Sequence, residues 1–506
     1  MRYRRCRRYH SAFAAFRRGR SACLWPRGGS PLIRYLIIVP LLVACASAPG
    51  SQKLPAVVAP PPAWSVPQGE GAIEQKWWSQ LGAAGLDSLV AEALTHNFDL
   101  QAAGARLQQA ASQARIAGAS QWPQLAASAS GSRRKQNFIG FPIPGGDGQV
   151  NSTTSDNFGV DLSASWEIDL WGRLRAGAQA GVADWQAARA DWQAARLSLA
   201  AQTARAYFAA VEARHQVNLA AATVGNYRIS TELITSRYRR GVQSSLDVRL
   251  GRSSLASAEA VLQQRRQQLD RAQRQLELLL GRYPGAAVEL AAELPAVGAP
   301  VPAGLPAELI GRRPDLAASE RRLAAADRRL VEARRALYPR ISLTGSGGRS
   351  SDALADLLDG DFSVWNLIGN ISQPLLQGGR LRAGVDLAGA RVEQAVANYA
   401  QAALRAYAEV ELALASEGFL DQQQRALEEA AAEAVAARQL AEDRYGEGLA
   451  DLITLLESQR RAFDAESRLL GVQRQQLDAR IDLHLALGGG FAPSAEFVPT
   501  SMETSQ

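Results

Sequence analysis

The 506-residue chain holds three cysteines, Cys6, Cys23 and Cys45, and none after position 45. That scarcity excludes a disulfide framework, a thiolate metal cluster and a cysteine nucleophile from the rest of the chain. Histidine is nearly as scarce: His10, His96, His215 and His484 are scattered without ligand spacing such as HxxxH. No catalytic constellation, metal-ligand set or cofactor motif emerges, so an enzyme is not expected. Acidic residues are missing from residues 1–44, which carry ten arginines. The remaining chain has 46 Lys+Arg against 49 Asp+Glu, so the net charge of +7 belongs to the leader. Nucleic-acid binding by the body thereby loses its main support.

An apolar run of membrane-spanning length is also lacking around the leader. Tyr35–Ala44 is apolar for ten residues, whereas a spanning helix needs about 20. Arg34 before it and small residues after it describe a secretory signal, so residues 1–44 read as a leader with a signal peptide. Leu42-Val43-Ala44-Cys45 resembles a bacterial lipobox, which would leave Cys45 as a lipid-modified N-terminus. Such an anchor holds firmly because it carries more than one acyl chain. Ala46 after the cysteine favours sorting to the outer membrane, by resemblance to bacterial lipoproteins. Residues 45–75 then read as a lipid-anchored, Pro-rich tether without a core of its own.

What the chain does have is itself, twice. GRLRAG stands at Gly172–Gly177 and again at Gly379–Gly384, an offset of 207. The same offset relates RYRRG at Gly241 to RYGEG at Gly448. Asp99 precedes Pro123 by 24 residues, and Asp315 precedes Pro339 by 24, both pairs offset by 216. Self-similarity of this kind marks an internal duplication, with residues 76–297 as the first repeat and 298–490 as the second. Residues 491–506 read as a flexible C-terminal tail.

Each repeat reads helix, two strands, long helix, turn, helix. The helical runs are rich in Ala, Leu, Gln, Arg and Glu, strong helix formers, with apolar residues three and four apart. Pro314 marks a break in the first helix of the second repeat. The period then changes to two: Phe158, Val160, Leu162, Ala164, Trp166, Ile168 and Leu170 alternate with polar or small residues. Partners are PQLAASASGS, PRISLTGSGG and VWNLIGNISQPLL. Thirteen alternating residues exceed the usual strand and suit a tilted membrane span of about 9–11 residues. Four strands cannot close a barrel, and an open edge cannot sit in lipid, so several chains must share one. Three chains would give twelve strands.

From each GRLRAG to the following tip glycine is 69 residues without proline, long enough for a helix of roughly 100 Å. A helix of about 40 residues is expected to return after each turn. Gly172, Arg173, Gly379 and Arg380 thus sit at strand–helix junctions, where the glycines free the backbone and the arginines are expected to meet lipid headgroups.

Together, KWWSQLGAAGLDSLVAEALTHNFDL, SWEIDLWGRLRAG, VPAGLPAELIGRRPDLAASE, ALYPRISLTGSGG, ISQPLLQGGRLRAG and RYGEGLADLITLLESQRR resemble the TolC-like outer-membrane factor family. Within it they resemble the lipidated channels of resistance-nodulation-division efflux systems. The resemblance implies a fold that is mainly α with a transmembrane β-barrel. It also implies a homotrimer with a 12-stranded barrel in the outer membrane and a long α-helical barrel through the periplasm. A periplasmic adaptor protein and an inner-membrane efflux transporter would be its partners. In similar channels a tyrosine before the tip glycine, with an apolar, an acidic and a basic residue after it, closes the periplasmic end. Carried over by motif, these are Tyr445, Ile453, Glu457 and Arg460; the acidic position is often Asp, so Glu457 is a departure. Arg237, Tyr238, Gly241 and Asp247 are the first repeat's counterparts, and with Arg444 and Gly448 they form tip turns expected to meet the adaptor. An ordinary surface ion pair on one helix is the alternative for Glu457 and Arg460.

The function expected is a passive exit duct for small molecules such as drugs. The duct of a type I protein secretion system is an alternative with the same fold, disfavoured by the lipobox. A coiled-coil structural lipoprotein without a pore is a third, disfavoured by the period-two strands.

Overall fold

Helices dominate the computed structural model, which describes residues 62–65, 74, 76–83, 85–138, 151–304 and 306–490. Cys45, the leader and the C-terminal tail lie outside the described residues. In chain order the elements are α1 (Leu86–His96), α2 (Phe98–Ala119), β1 (Gln124–Phe138), β2 (Asn151–Ile168), α3 (Arg173–Arg239) and α4 (Ser245–Leu279). The second repeat follows with α5 (Leu309–Arg312), α6 (Pro314–Arg335), β3 (Arg340–Ser351), β4 (Ser363–Ser372), α7 (Arg380–Glu447) and α8 (Leu452–Ala486).

The duplication reaches into the conformation of single residues. The expected unbroken first helix of repeat one is instead split at Asn97, which sits extended at φ −65°, ψ 125°. Its side chain accepts from the Leu100 N–H at 3.0 Å and donates to Leu279 O at 3.0 Å, a cap joined to a tertiary tie. Arg313, 216 positions later, is likewise extended, at φ −102°, ψ 124°, just before Pro314 at the first helical position. The proline announces the break in one repeat, whereas the asparagine makes it without a proline in the other.

Long helices pack through alanine. Ala176, Ala180, Ala183, Ala187 and Ala190 of α3 are buried at spacings of four and three, the period of one helical face. Gly181 lets α3 meet α2 so closely that an added Cβ would lie 3.3 Å from Ala114 Cα. Lower down, Tyr207, Phe208 and Val211 of α3 join Leu276, Leu280, Leu477 and Ile481 in the largest apolar cluster. The return helices α4 and α8 are 35 residues each, somewhat shorter than expected, and α3 and α7 are 67 and 68. At 1.5 Å per residue the long pair reaches about 100 Å. The tether touches this body at Trp64, whose Nε1–H donates to Gly304 O at 2.9 Å and whose ring lies 6.3 Å from that of Tyr407.

All four strands form one antiparallel sheet in the order β1-β2-β3-β4. Even the register is duplicated: Gln124 pairs with Ser165, and Arg340, 216 on, pairs with Ser372, 207 on. Directly paired residues share a face, so the register sorts the side chains. One face carries Leu125 and Ala127, Val160, Leu162 and Trp166, Ile341 and Leu343, and Trp365, Leu367 and Ile371. The other is mainly polar, with Ser128 and Ser130, Asp161, Ser163 and Glu167, Ser342 and Thr344, and Asn366 and Asn370, beside the apolar Val364 and Ile368.

The apolar face is left uncovered. Val160 and Leu162 are exposed, and Trp365 is 82% exposed, the reverse of a water-soluble sheet. From Val160 to Ile168 the strand rises about 27 Å at 3.4 Å per residue, which at the usual barrel tilt covers most of an apolar band of about 25 Å. No described helix is long and apolar enough to cross a membrane.

Candidate functional site

Two places gather the residues singled out in the sequence: the base of the sheet, and the far tip of the helices. At the base, Gly172 adopts φ +78° and Gly379 φ +82°, left-handed values that cost an L-residue about 1–2 kcal/mol. These turns redirect the chain from strand into helix. Arg173 does not reach outward as expected. Its side chain is 18% exposed, and its guanidinium bonds both Glu167 oxygens at 2.8 and 2.9 Å, with Glu332 of α6 at 3.9 Å. The Arg175 N–H bonds Asp169 at 2.9 Å, and Arg335 Nη1 donates to Gly172 O at 2.8 Å. Three carboxylates thus neutralise the arginines of the first GRLRAG. A cavity of about 630 Å³ opens beside them on the polar side of the sheet, lined by Gln124, Ser165, Glu167, Arg173, Glu332 and Thr344 among others.

The second GRLRAG is bare by comparison. Arg380 donates to its own neighbour Gln377, at 2.6 Å, and has no ion pair among the described residues. Aromatic side chains mark the same level: Trp171 lies 5.3 Å from Tyr338 and donates to Pro339 O at 2.8 Å, while Trp166 donates to Gln121 O at 3.0 Å. Tryptophan suits such a boundary because its ring is apolar and its N–H polar.

At the tip both repeats end their long helix in the same turn. The Val242 N–H reaches Arg237 O at 3.0 Å and the Leu449 N–H reaches Arg444 O at 2.8 Å, over Gly241 at φ +76° and Gly448 at φ +82°. This is the bond pattern of a glycine-terminated helix. Each return helix then begins on a side-chain cap. Ser244 and Asp247 cap one another reciprocally, and Asp451 accepts from the Thr454 N–H at 2.7 Å. Asp247 is therefore a capping residue as placed.

The two tyrosines at the tips differ. Tyr238 is exposed, whereas Tyr445 is 1% exposed in a cluster with Ile234, Val248, Leu452 and Leu455. Arg237 lies over the Tyr445 ring at 4.9 Å and donates to Gly446 O at 2.7 Å, a cation–π contact that joins the two tips. Burial raises the Tyr445 hydroxyl pKa, against the lowering effect of Arg237. Arg444 and Ile453 are exposed.

Glu457 and Arg460 do come together, 2.8 Å apart within one helix, and Arg461 and Asp464 extend the network at 2.8 and 3.2 Å. Hydrogen bonds from Arg460 and Arg461 hold the Glu457 carboxyl down at about 2. Within one chain this is the surface ion-pair arrangement, lying one helical turn past Ile453.

Sequence spacing missed the charged clusters near mid-bundle. Arg313 is buried and bonds Asp315 at 2.7 Å and Glu409 at 2.6 Å, while Arg480 bonds Glu417 at 2.6 Å. Glu409 and Glu417 come from α7, far along the chain, so no local pattern announces those two pairs, whereas Asp315 is only two residues from Arg313. His484, one of the scattered histidines, is buried and stacks on Trp77 with ring centroids 5.0 Å apart.

Comparison with known proteins agrees with this geometry. The outer membrane efflux protein family matches residues 89–282 and 305–489. The pyoverdine export outer membrane protein OpmQ of Pseudomonas aeruginosa is 34% identical over 457 residues, covering 89% of this chain and 95% of its own. The toluene efflux pump outer membrane protein TtgI of Pseudomonas putida is 32% identical, covering 80% and 85%. Among solved structures, the Campylobacter jejuni CmeC outer membrane channel superposes with a TM-score of 0.82 at 25% identity, over 89% of this chain and 96% of its own. A sheet with one exposed apolar face, two matched helical hairpins and relatives of this kind lead to one conclusion: the chain belongs to the outer membrane efflux protein family and is an outer-membrane efflux channel.

Proposed function

We propose that three chains close one 12-stranded barrel in the outer membrane, and that the assembly is the passive exit duct of a tripartite pump for small molecules. The observation carrying this reading is the four-stranded sheet, apolar outside and polar inside, with β1 and β4 each unpaired along one edge. Unpaired backbone groups in lipid cost several kcal/mol each, so β4 of one copy must pair with β1 of the next. The helices repeat the argument. Within the chain α3 and α8 pack centrally, and α4 and α7 lie at opposite margins. Leu404, Leu412 and Phe419 of α7 and Leu246 and Leu250 of α4 are left exposed, ready for head-to-tail closure into a ring.

In this assembly the repeats 76–297 and 298–490 alternate around the axis. The tip turns at Gly241 and Gly448, with Arg237, Tyr238, Asp247 and Arg444, face the periplasmic adaptor, beyond which stands the inner-membrane transporter. Ile453, Glu457 and Arg460 recur three times near the axis, where a ring of carboxylates and guanidiniums regulates passage, and Tyr445 anchors that helix from behind. Cys45 carries the lipid, and residues 45–75 tether it to the channel. Small solutes as cargo are supported by what the named relatives export. A pore-free coiled-coil rod would have no use for the sheet.

Native mass spectrometry of the detergent-extracted protein tests the whole reading. A trimer whose chains begin at Cys45 and carry acyl mass is expected. A monomer without adduct would overturn both the shared barrel and the anchor.

A further inference from the structure

The cavity at the sheet base has a counterpart that no single chain completes. Its lining in repeat one comes from α2, β1, β2, α3, α6 and β3. Shifting each residue by the internal offsets of 207 and 216 moves the cavity to the boundary between two copies. There it is lined by α6, β3, β4 and α7 of one chain and by α2 and β1 of the next. This step rests on the ring closure proposed above.

The chemistry does not repeat with the geometry. Glu167 becomes Pro374, and Glu332 becomes Ile116 of the neighbouring copy. Ser342 and Thr344 become Ala126 and Ser128. Arg173 persists as Arg380, and Gln124 becomes Arg340. The shared register supports the equivalence, because Gln124 opposes Ser165 as Arg340 opposes Ser372. A cavity holding one arginine and two carboxylates is thus echoed by one holding two arginines and no carboxylate.

Neither Arg340 nor Arg380 has an ion pair among the described residues. The neighbouring chain does not supply one by symmetry, since Ile116, the residue that replaces Glu332, is apolar and 70% exposed here. Two guanidiniums drawn into a shared cleft without a counter-charge are unfavourable, and an anionic group with two or more oxygens, a carboxylate or phosphate, is the group that satisfies them best.

We propose that this inter-chain cavity, one per subunit boundary, binds the anionic oxygen group of a solute in the lumen, a phosphate or carboxylate held by Arg340 and Arg380. Three such sites ring the duct where the barrel meets the helices. They give the exit path an affinity for anionic cargo at its last step before the barrel. The polar side of the sheet is where the parent cavity opens, which favours a luminal solute over a membrane phospholipid as the source of the phosphate.

Calorimetric titration of the full-length trimer in low-salt detergent with pyrophosphate tests this. Three sites per trimer are expected. Arg340→Gln with Arg380→Gln should weaken binding at least tenfold, and Arg340→Lys with Arg380→Lys, which keeps the charge but not the fork, should fall between the glutamine variant and the wild type. Pro374→Glu, which restores the carboxylate of repeat one beside Arg380, should weaken binding comparably without touching either arginine, and so guards against loss through misfolding. A wild-type trimer that fails to bind, or binding unchanged in both the glutamine and the Pro374→Glu variants, overturns the anion site and leaves the duct standing. A monomeric wild type overturns the ring closure itself. Native mass spectrometry separates the sources: phosphatidylglycerol retained by the wild type and lost from the glutamine variant, with pyrophosphate unable to displace it, would overturn the luminal assignment in favour of lipid.

Discussion

Cysteines at Ser130 and Asn370 are expected to lock three copies of the chain together. Internal symmetry fixes the pairing between copies. Ser163 of β2 opposes Ser346 of β3, and advancing the first by 207 and returning the second by 216 gives Asn370 opposite Ser130 of the next copy. Both positions lie on the polar face. Directly opposed residues hold their Cβ atoms about 4.5–5.5 Å apart, and diagonal neighbours about 7–8 Å. A disulfide needs about 3.5–4.5 Å, so a small strand adjustment suffices for the direct pair and not for the diagonal. Oxidation of the Ser130→Cys, Asn370→Cys variant should yield covalent dimers and trimers on denaturing gels. Ser128→Cys with Asn370→Cys, one step off register, should link far less, and single variants not at all. Equal linking of the two pairs, or preference for the diagonal, would refute the symmetry argument even if the protein proved trimeric.

The junction glycines should respond unequally to alanine. Gly379→Ala meets open space and bears the left-handed penalty of about 1–2 kcal/mol. Gly172→Ala adds a Cβ 2.6 Å from Arg335 Nη1 and should lose that hydrogen bond as well, for about 2–4 kcal/mol in total; thermal denaturation followed by circular dichroism compares them. His484 should make the bundle acid-sensitive. Burial and the Arg480 charge lower its pKa from 6.5 to about 4, so the unfolded chain takes up the proton first and stability falls between pH 6.5 and 4. At 1.36 kcal/mol per unit the loss is about 3 kcal/mol, and His484→Leu should flatten that part of the stability profile. Glu457, held at about 2 by Arg460 and Arg461, keeps its pairs above its free value of 4.5 and loses them as pH falls towards 2. Bilayer conductance of the wild type should therefore rise in that window, and Glu457→Gln should show the raised level already at pH 7.

Much of the architecture was legible because its signals are local. Period two over Phe158–Leu170, proline-free runs between GRLRAG and the tip glycines, and two fixed offsets suffice for strands, helices and duplication. Asn97 was missed because an extended asparagine that caps a helix looks like any polar residue within a helical run. At the tip, Glu457 and Arg460 are three residues apart, and helix geometry makes such neighbours meet. The stack of Arg237 on Tyr445 joins the two repeats and leaves no mark in local spacing. Arg173 is expected to face lipid headgroups and is instead held by Glu167, six residues back, with Glu332 of α6 as a second, more distant carboxylate. Glu167 stands in the same motif but the turn at Gly172 that folds it back onto Arg173 leaves no mark in the spacing, and Glu332 is 159 positions away.

The near-identity of α3 and α7, 67 and 68 residues, constrains how such a chain can change over time. One residue of helix is about 1.5 Å of depth, so tips level with one another tolerate almost no independent insertion. A lengthening of α3 would leave its tip standing proud of α7's and would rotate every contact below it by about 100°. Four helical legs must therefore grow or shrink in concert, by whole turns, in both repeats at once. Inheritance of length becomes a coupled trait, and an ancestor of a different reach is separated from this chain by several simultaneous changes rather than a series of tolerated single ones.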